Sequence, residues 1–593
     1  MSTRTTFTKI LTACIMLASE LLLSAGQGVE VWSAPSYQRV LLQQKPAANG
    51  VSDIHVCRNE VESLQVIAYG NSKTLEKLSF HFDRASDSTG KQLPAPTLFW
   101  QYDVMVHKSS PRAPLKAGLY PDALLPFENG SQPNKAAFRN INGDMNFRIW
   151  VDYRIPVDQQ PGQYRGRVMV KNVETQTVVS TLDINIHVAD ETLPKRPSLK
   201  SFFGLNEHHI ARLSGLDRED DGVALSEVMH SYYQLMMDCR VEPGLVYATS
   251  APVNDRGELR WEEPASSTMP AAKAIIHRYF TEGTFQSLHL PMWRDYPYAD
   301  PLGYDRDKAV NYLAQLAKLC KETAPESDLF FSVGSLDEPD SAGAYKKIRD
   351  WAKLVHDASA VAKEKISFFV TEQPQPQNPK WGTLEKSVDI WAPHVMWAWE
   401  DLESQSGKRK ITERIAAGDQ VWCYAALSQF RDTWLAEKGK PNTKSGSYPP
   451  VWLTDYPAVQ FRILPWICYA HDLNGIHYWD IFHWPAGTNP WHDAGTFVIE
   501  DETFNGDGLL IYPPAPVALR GSMAAKPCPS IRLKWLRDGM DDYDHLNILR
   551  KTHPERAAQI SARIAMGFAD WENSPHEIAQ ARRAISKAMQ NSP

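Results

Sequence analysis

From Val29 to about Asp190, apolar and polar residues alternate with a period of two, most plainly in TLDINIHVAD, where Leu182, Ile184, Ile186 and Val188 fall on one face. Such alternation marks antiparallel strands with one face in a core and the other toward water. PVDQQPGQYRGRVMVKN adds a Pro/Gly turn and a second alternating strand, so residues 27–190 are predicted as an antiparallel β-sandwich. The polar, proline-rich ETLPKRPSLK, residues 191–200, reads as a linker.

Beyond the linker the pattern changes to short apolar runs separated by amphipathic segments, the signature of parallel β/α units. Eight runs stand out: SFFGLN (201–206), VEPGLV (241–246), FQSLHLPMW (285–293), LFFSVGSLDE (329–338), ISFFVT (366–371), VDIWAPH (388–394), QVWCYA (420–425) and GIHYWDI (475–481). Between them lie helix-like stretches such as DKAVNYLAQLAKLCKE and AGAYKKIRDWAKLVHDA, with apolar residues at three- and four-residue steps. The pattern predicts a (β/α)8 TIM barrel over residues 201–550, its second and third strands the weakest, followed by a helical segment, 551–593, packed back on it.

The N-terminus has its own pattern. Arg4 and Lys9 precede an apolar run that ends in small residues, the layout of a secretory signal peptide over residues 1–26, and export to the periplasm or medium is expected. Glu20 within the run argues against a permanent span, and no later stretch is long and apolar enough for one. Leu11-Thr12-Ala13-Cys14 mimics a lipoprotein box, but the run continues well past Cys14, which disfavours lipid anchoring.

Composition narrows the function. With 43% hydrophobic and 22% charged residues over 593 positions the chain is ordinary globular protein, and its net charge of −7 without a Lys/Arg block excludes a nucleic-acid footprint. Cys57, Cys239, Cys320, Cys423, Cys468 and Cys528 form no CxxC or Cys/His ligand spacing and read as buried thiols. There is no HExxH, GxxxxGK or GxGxxG, and the acid-rich NGDGLLIYP and RDGMDDYD lack calcium-loop spacing, so turn and helix-cap roles suffice for them. No metal and no cofactor is expected; oligomeric state is not encoded in any motif. Nineteen Trp and 22 Tyr leave many flat faces that suit sugar rings, though large aromatics also fill cores.

The candidate chemistry sits in FFSVGSLDEPDS, residues 330–341. Asp337 and Glu338 fall at the carboxyl end of the fourth run, the face on which TIM barrels carry their active sites. Pro339 cannot continue a ladder and biases Glu338 toward an extended backbone, so the chain is expected to leave the sheet there with both acids turned to the barrel mouth. Acids and a proline ahead of a helix also serve as caps, but Asp340 and Ser341 can do that work. Two carboxylates about 5 Å apart repel by roughly 3 kcal/mol at an effective dielectric near 20, so one tends to keep its proton. A protonated acid beside an ionised one serves glycosidic bond cleavage, but adjacent residues are poorly placed to attack a sugar from opposite faces, so a nucleophile must come from elsewhere.

Other strand ends offer weaker candidates, each with a packing alternative. Asn206, Glu207, His208 and His209 follow the first run and can bind sugar hydroxyls. Glu372 follows the fifth and would be the nucleophile of a two-carboxylate mechanism. Trp391, His394, Trp397 and Trp399 follow the sixth, Tyr424 ends the seventh, and Trp479, Asp480 and Trp484 follow the eighth; tryptophans among them can floor a sugar ring.

The Asp337-Glu338-Pro339 motif, together with YPDALLP, PGQYRGRV, VDIWAPH, DLNGIHYWDI, NGDGLLIYP and RLKWLRDGMDDYDHL, resembles glycoside hydrolase family 123 and its wider relatives over nearly the whole mature chain. The resemblance implies a β-sandwich followed by a catalytic barrel and, for members of assigned activity, β-N-acetylgalactosaminidase function on a glycan. It further implies substrate-assisted catalysis, with the sugar's 2-acetamido oxygen as nucleophile, Glu338 as acid and then base, and Asp337 orienting the acetamide. The resemblance fixes no role for Tyr424, whose hydroxyl can donate to the acetamide oxygen from the end of the seventh run. A two-carboxylate enzyme using Glu372, or a silent glycan-binding protein on the same scaffold, are the alternatives.

Overall fold

The structure, a computed structural model, describes residues 28–46, 53–138, 142–293, 295–403, 409–426, 449–499 and 501–590. The expected signal peptide and Cys14 lie outside them.

The alternating segment forms β1 (Val29–Pro35), β2 (Asp53–Arg58), β3 (Val61–Gly70), β4 (Leu78–Phe82), β5 (Thr97–Val106), β6 (Gly118–Pro126), β7 (Met145–Arg154), β8 (Gly162–Asn172) and β9 (Val178–Thr192). They make two sheets, β1-β3-β7-β5-β6 and β2-β9-β8-β4. In β9, Ile184, Ile186 and Val188 are buried as their alternation requires. The sheets meet face to face through contacts such as Phe80 of β4 on Phe147 of β7, ring centroids 5.4 Å apart. One pairing departs from the antiparallel expectation: β2 runs parallel to β9, with Asp53 opposite Asn185 and Val56 opposite Val188. Two strands far apart in sequence need no hairpin, so nothing in the local pattern sets their direction.

Seven parallel strands follow: β10 (Lys200–Phe203), β11 (Ser287–His289), β12 (Asp328–Phe331), β13 (Ile366–Val370), β14 (Ile390–Trp391), β15 (Gln420–Ala425) and β16 (Gly475–Tyr478). Their order, β10-β16-β15-β14-β13-β12-β11, is a barrel open between β10 and β11. The run VEPGLV, expected as the second strand, fills that gap without becoming one. Against β10 it makes two ladder-like bonds, Phe203 N–H to the Glu242 carbonyl (3.0 Å) and Gly244 N–H to the Phe203 carbonyl (2.8 Å). Pro243 has no N–H to give β11, and the buried Glu242 carboxylate substitutes by accepting the Gln286 and Ser287 N–H groups at 3.0 and 2.8 Å. Gly244 is required here, because a Cβ would sit 1.6 Å from the Phe202 ring. The β/α alternation also lapses once more: only a turn, Pro379–Trp381, separates β13 from β14. The expected eight regular units are thus seven strands and a side-chain bridge.

Inside the barrel, Phe330, Phe369, Ile390, Ala392, Trp422 and Tyr424 pack with Phe202 and Trp479 as one apolar cluster. Outside it, the long helix Ile531–Thr552 runs through residue 550 and lies against both the sandwich and the barrel, buried continuously from Ile531 to Leu546. RDGMDDYD therefore belongs to a buried helix, not to turns or caps. Arg532 forms a two-pronged pair with Asp122 of β6 (2.7 and 2.8 Å), and Lys534 pairs with Asp152 of β7 at 2.8 Å. On the barrel side Asp542 accepts from Arg462 (2.6 and 2.9 Å) and Trp466 (2.8 Å). Helices Pro554–Ile564 and Pro575–Gln590 complete the C-terminus. All six described cysteines are buried and unpaired by disulfides. Among the described residues no helix is long and apolar enough to cross a membrane.

Burial pushes the Glu242 carboxyl up to about 7, against the opposing pull of its two backbone donors. A raised carboxyl pKa means that ionisation disfavours the fold progressively as pH rises from the unfolded value, about 4.3, through 7. Glu242→Gln keeps an acceptor oxygen without the charge. We expect it to match wild type at pH 4.5 and to exceed it at pH 8 by about 1–3 kcal/mol in chemical denaturation, whereas Glu242→Ala, which leaves two N–H groups orphaned, is destabilised at both.

Candidate active site

The strand carrying the acid pair is shorter than its apolar run. β12 ends at Phe331, and a turn, Gly334–Leu336, anchored by buried Leu336, lifts the chain off the sheet before Asp337. Asp337 is extended (φ −67°, ψ 135°), but Glu338 has φ +43°, which overturns the expectation of an extended residue before Pro339. A side chain at positive φ costs about 1–2 kcal/mol, so tertiary contacts must hold it. The Thr371 hydroxyl at the end of β13 does so: it accepts the Glu338 N–H at 3.0 Å and donates to Asp337 Oδ1 at 2.5 Å. Ser341 caps the following helix, Ala342–Ala362, through the Ala344 N–H (3.2 Å), leaving both acids free.

Asp337 lines a cavity of about 220 Å³ at the carboxyl end of the strands, walled by Phe202, Ser332, Phe369, Thr371, Tyr424, His477 and Trp479 among others. Glu338 stands solvent-exposed beside it. Crowding by protein, and then the neighbouring Asp337 charge, raise the Glu338 carboxyl above its ordinary value. The two acids also reach across the cavity: burial first, then Asp337 and Glu338, push the Tyr424 hydroxyl up. His477 donates Nδ1–H to the Phe202 carbonyl (2.9 Å), which makes its Nε2 the acceptor, and burial pushes the imidazole down to about 4. The cavity therefore presents a neutral histidine, a neutral phenol and Asp337.

The remaining predicted residues divide between wall and scaffold. Tyr424 and Trp479 line the cavity; Trp479 is held by Asp507 Oδ1 (3.3 Å) from NGDGLLIYP. His394 stands behind Tyr424, ring centroids 5.8 Å apart, with Nε2–H bonded to the Ala426 carbonyl (2.5 Å). Glu372 is fully buried and turned away, accepting from the Gln373 N–H (2.7 Å), the Tyr345 hydroxyl (3.1 Å) and Gln377 Nε2 (2.9 Å), and burial raises it to about 7. Trp391 is fully buried in the outer core, bonded to Asp419 at 3.0 Å. Asp480 is buried with its carboxylate on the Phe482 N–H (2.8 Å), and burial raises it to about 7 against a bond from Asn206. Asn206 caps the helix Glu207–Ser214 through the His209 N–H, and His208 is exposed on that helix. Neither belongs to the cavity wall, and neither do Trp391, Glu372 or Asp480.

Thr371 and His477 escaped the sequence reading although strand parity marks them. Ile390, Trp422 and Tyr424 point inward, so Phe369 and Thr371, and likewise His477 and Trp479, belong to the inward set, while Trp391, Glu372 and Asp480 are one step out of phase.

A possible metal cluster lies elsewhere. Cys57, Glu60 and His545 bring ligand atoms within 4.8 Å of one another, a grouping that no local spacing could reveal. Glu60 is already paired with Arg582, and the group belongs to the contact between sandwich and C-terminal helices.

Residues 311–549, which span β12 to β16 and most of the buried helix, match the family model of the glycoside hydrolase 123 catalytic domain. This segment is a family 123 catalytic domain. The protein is accordingly a glycoside hydrolase. Its fold is similar over nearly the full length to a solved family 123 glycoside hydrolase from Clostridium perfringens (TM-score 0.61, 14% identity, 95% of this chain and 98% of that one). A Bacteroides uniformis β-glucuronidase is far more distant (TM-score 0.27, 10% identity, 81% of this chain and 48% of that one) and carries no argument. No curated protein matches the chain in sequence.

The family 123 domain seats Trp479 against Gly508, which has φ +69° and whose Cβ would lie 2.4 Å from the indole. Gly508→Ala must therefore push the indole out of the wall. We expect a loss of about 1–3 kcal/mol in thermal unfolding, with a raised KM for any glycoside the enzyme cleaves.

Proposed function

We propose that this family 123 enzyme removes a terminal β-linked N-acetylhexosamine, N-acetylgalactosamine first, from glycans with retention and through an oxazoline intermediate. One observation carries the reading: among the described residues that line the cavity, Asp337 is the sole carboxylate, and Glu372, the nucleophile of the rival two-carboxylate mechanism, is buried with its oxygens in use. An acid pair on one side of the sugar, without a partner opposite, fits a reaction whose nucleophile belongs to the substrate.

In the first step the Glu338 carboxyl gives its proton to the leaving oxygen as the C1–O bond breaks and the acetamide oxygen bonds to C1. Asp337 accepts the acetamide N–H and stabilises the positive charge that develops there. In the second, water adds to C1, the bond between C1 and the acetamide oxygen breaks, and Glu338, now a carboxylate, takes the water's proton. Trp479 offers an apolar face to the ring and Tyr424 a donor to the acetamide oxygen. The raised Glu338 pKa keeps the acid form to higher pH than an ordinary carboxyl would. The Clostridium perfringens relative is described as hydrolysing glycolipid glycans, and such glycans are the proposed substrate class here too. Export, read from residues 1–26, would bring the enzyme to them; N-terminal sequencing of the secreted protein tests it.

The deciding assay is a panel of aryl β-glycosides differing in the 2-substituent and the 4-epimer. The reading expects cleavage only with a 2-acetamido group, and a kcat loss of about 10²- to 10⁴-fold in Glu338→Gln with sugar binding retained. Equal turnover of a 2-hydroxy glycoside would end it in favour of a protein nucleophile.

A pH profile gives a second check. The basic limb of kcat/KM follows loss of the Glu338 proton, so Asp337→Asn, which deletes the neighbouring charge and leaves the surrounding protein in place, should move that limb partway to lower pH.

A further inference from the structure

Two adjacent carboxyls are chemically interchangeable until something distinguishes them, and the structure supplies a single hydroxyl that touches both residues. Thr371 closes β13 and is buried. Its Oγ1 accepts the Glu338 N–H at 3.0 Å, which leaves its own proton for Asp337 Oδ1 at 2.5 Å. A hydroxyl has one proton to donate, so the direction of both bonds is fixed: Asp337 Oδ1 must be an acceptor.

We infer that Thr371 is the positioning residue that assigns the two acids their separate roles. By donating to Asp337 it fixes that carboxylate's rotamer and its acceptor character, and by accepting from the Glu338 N–H it holds the positive-φ turn that carries the proton donor. The inference rests on the proposed function, since it presumes that this pair performs the chemistry. The neighbouring bonds support a positioning assignment for the whole strand end: Gln377 Nε2 spans the Glu372 carboxylate (2.9 Å) and the Pro339 carbonyl (3.2 Å), so residues 371 and 372 grip the acid loop at consecutive points.

The test is a double-mutant cycle on an aryl 2-acetamido-β-glycoside, using the full chain. Thr371→Val, which keeps the shape and loses both bonds, is expected to lower kcat by about 10- to 100-fold with KM within about threefold. Thr371→Ser, which keeps the hydroxyl, is expected to stay within about threefold of wild type. In an Asp337→Asn background the valine should cost several-fold less than in the wild type, because only the bond from the Glu338 N–H is then left to lose. Should Thr371→Val fail to fold, Thr371→Ala enters the same cycle. Full multiplicative loss in the double mutant, or a serine variant as poor as the valine, overturns the assignment to Thr371. Wild-type turnover by Asp337→Asn would instead overturn the reading of the acid pair, and would do so independently of what any Thr371 variant shows.

Discussion

The whole arrangement depends on burying a charged helix. Ile531–Thr552 carries Arg532, Lys534, Arg537, Asp538, Asp541, Asp542, Asp544 and His545 into the protein interior. Desolvating that many ionic groups costs several kcal/mol each unless every one meets a partner in good geometry. The partners come from both sides: Asp122 and Asp152 from the sandwich, Arg462 and Arg240 from the barrel segment. Such pairs contribute little net stability over apolar packing, but each is strongly unfavourable when broken, so they fix the register of the three layers. Burial alone would push Asp152 up, yet Lys534 and Arg537 hold it well below the usual carboxylate range.

That register reaches the cavity through one residue. Besides pairing with Asp122, Arg532 donates to the Gly506 carbonyl at 2.7 Å and to the Leu509 carbonyl at 2.5 Å, fixing the turn that contains Asp507 and Gly508. Asp507 and Gly508 in turn seat Trp479 in the cavity wall. Three of the motifs behind the family resemblance, YPDALLP, NGDGLLIYP and RLKWLRDGMDDYDHL, thus meet at Asp122, Gly506 and Arg532. The sandwich thereby supports the cavity wall, since Asp122 holds the arginine that fixes the turn under Trp479.

Much of this was legible in the chain. Period-two and period-3.6 patterns yielded the order of layers; three of the eight apolar runs contain a whole strand of at least four residues, and two more overlap one that starts a residue earlier. The acid pair was found because two neighbouring charges after an apolar run demand an explanation. Three of the candidates miss the cavity wall for one reason. Position after a strand and chemical type point to Glu372, Trp391 and Asp480, yet each is one residue out of phase with the inward set and is buried outside the cavity wall. Apolarity predicts a strand at VEPGLV, but Pro243 denies it one ladder.

By itself the sequence determined what is periodic or local: most of the strands and helices, that Asp340 or Ser341 caps the helix after the acids, and which adjacent acids share electrostatic stress. Tertiary structure alone decided the rest, because those outcomes depend on partners hundreds of residues away: the parallel pairing of β2 with β9, the carboxylate of Glu242 standing in for a strand, the positive φ of Glu338 and the ion pairs of the buried helix. A strained turn or a buried charge is stable only where a distant group meets it, and no local pattern records which group that will be.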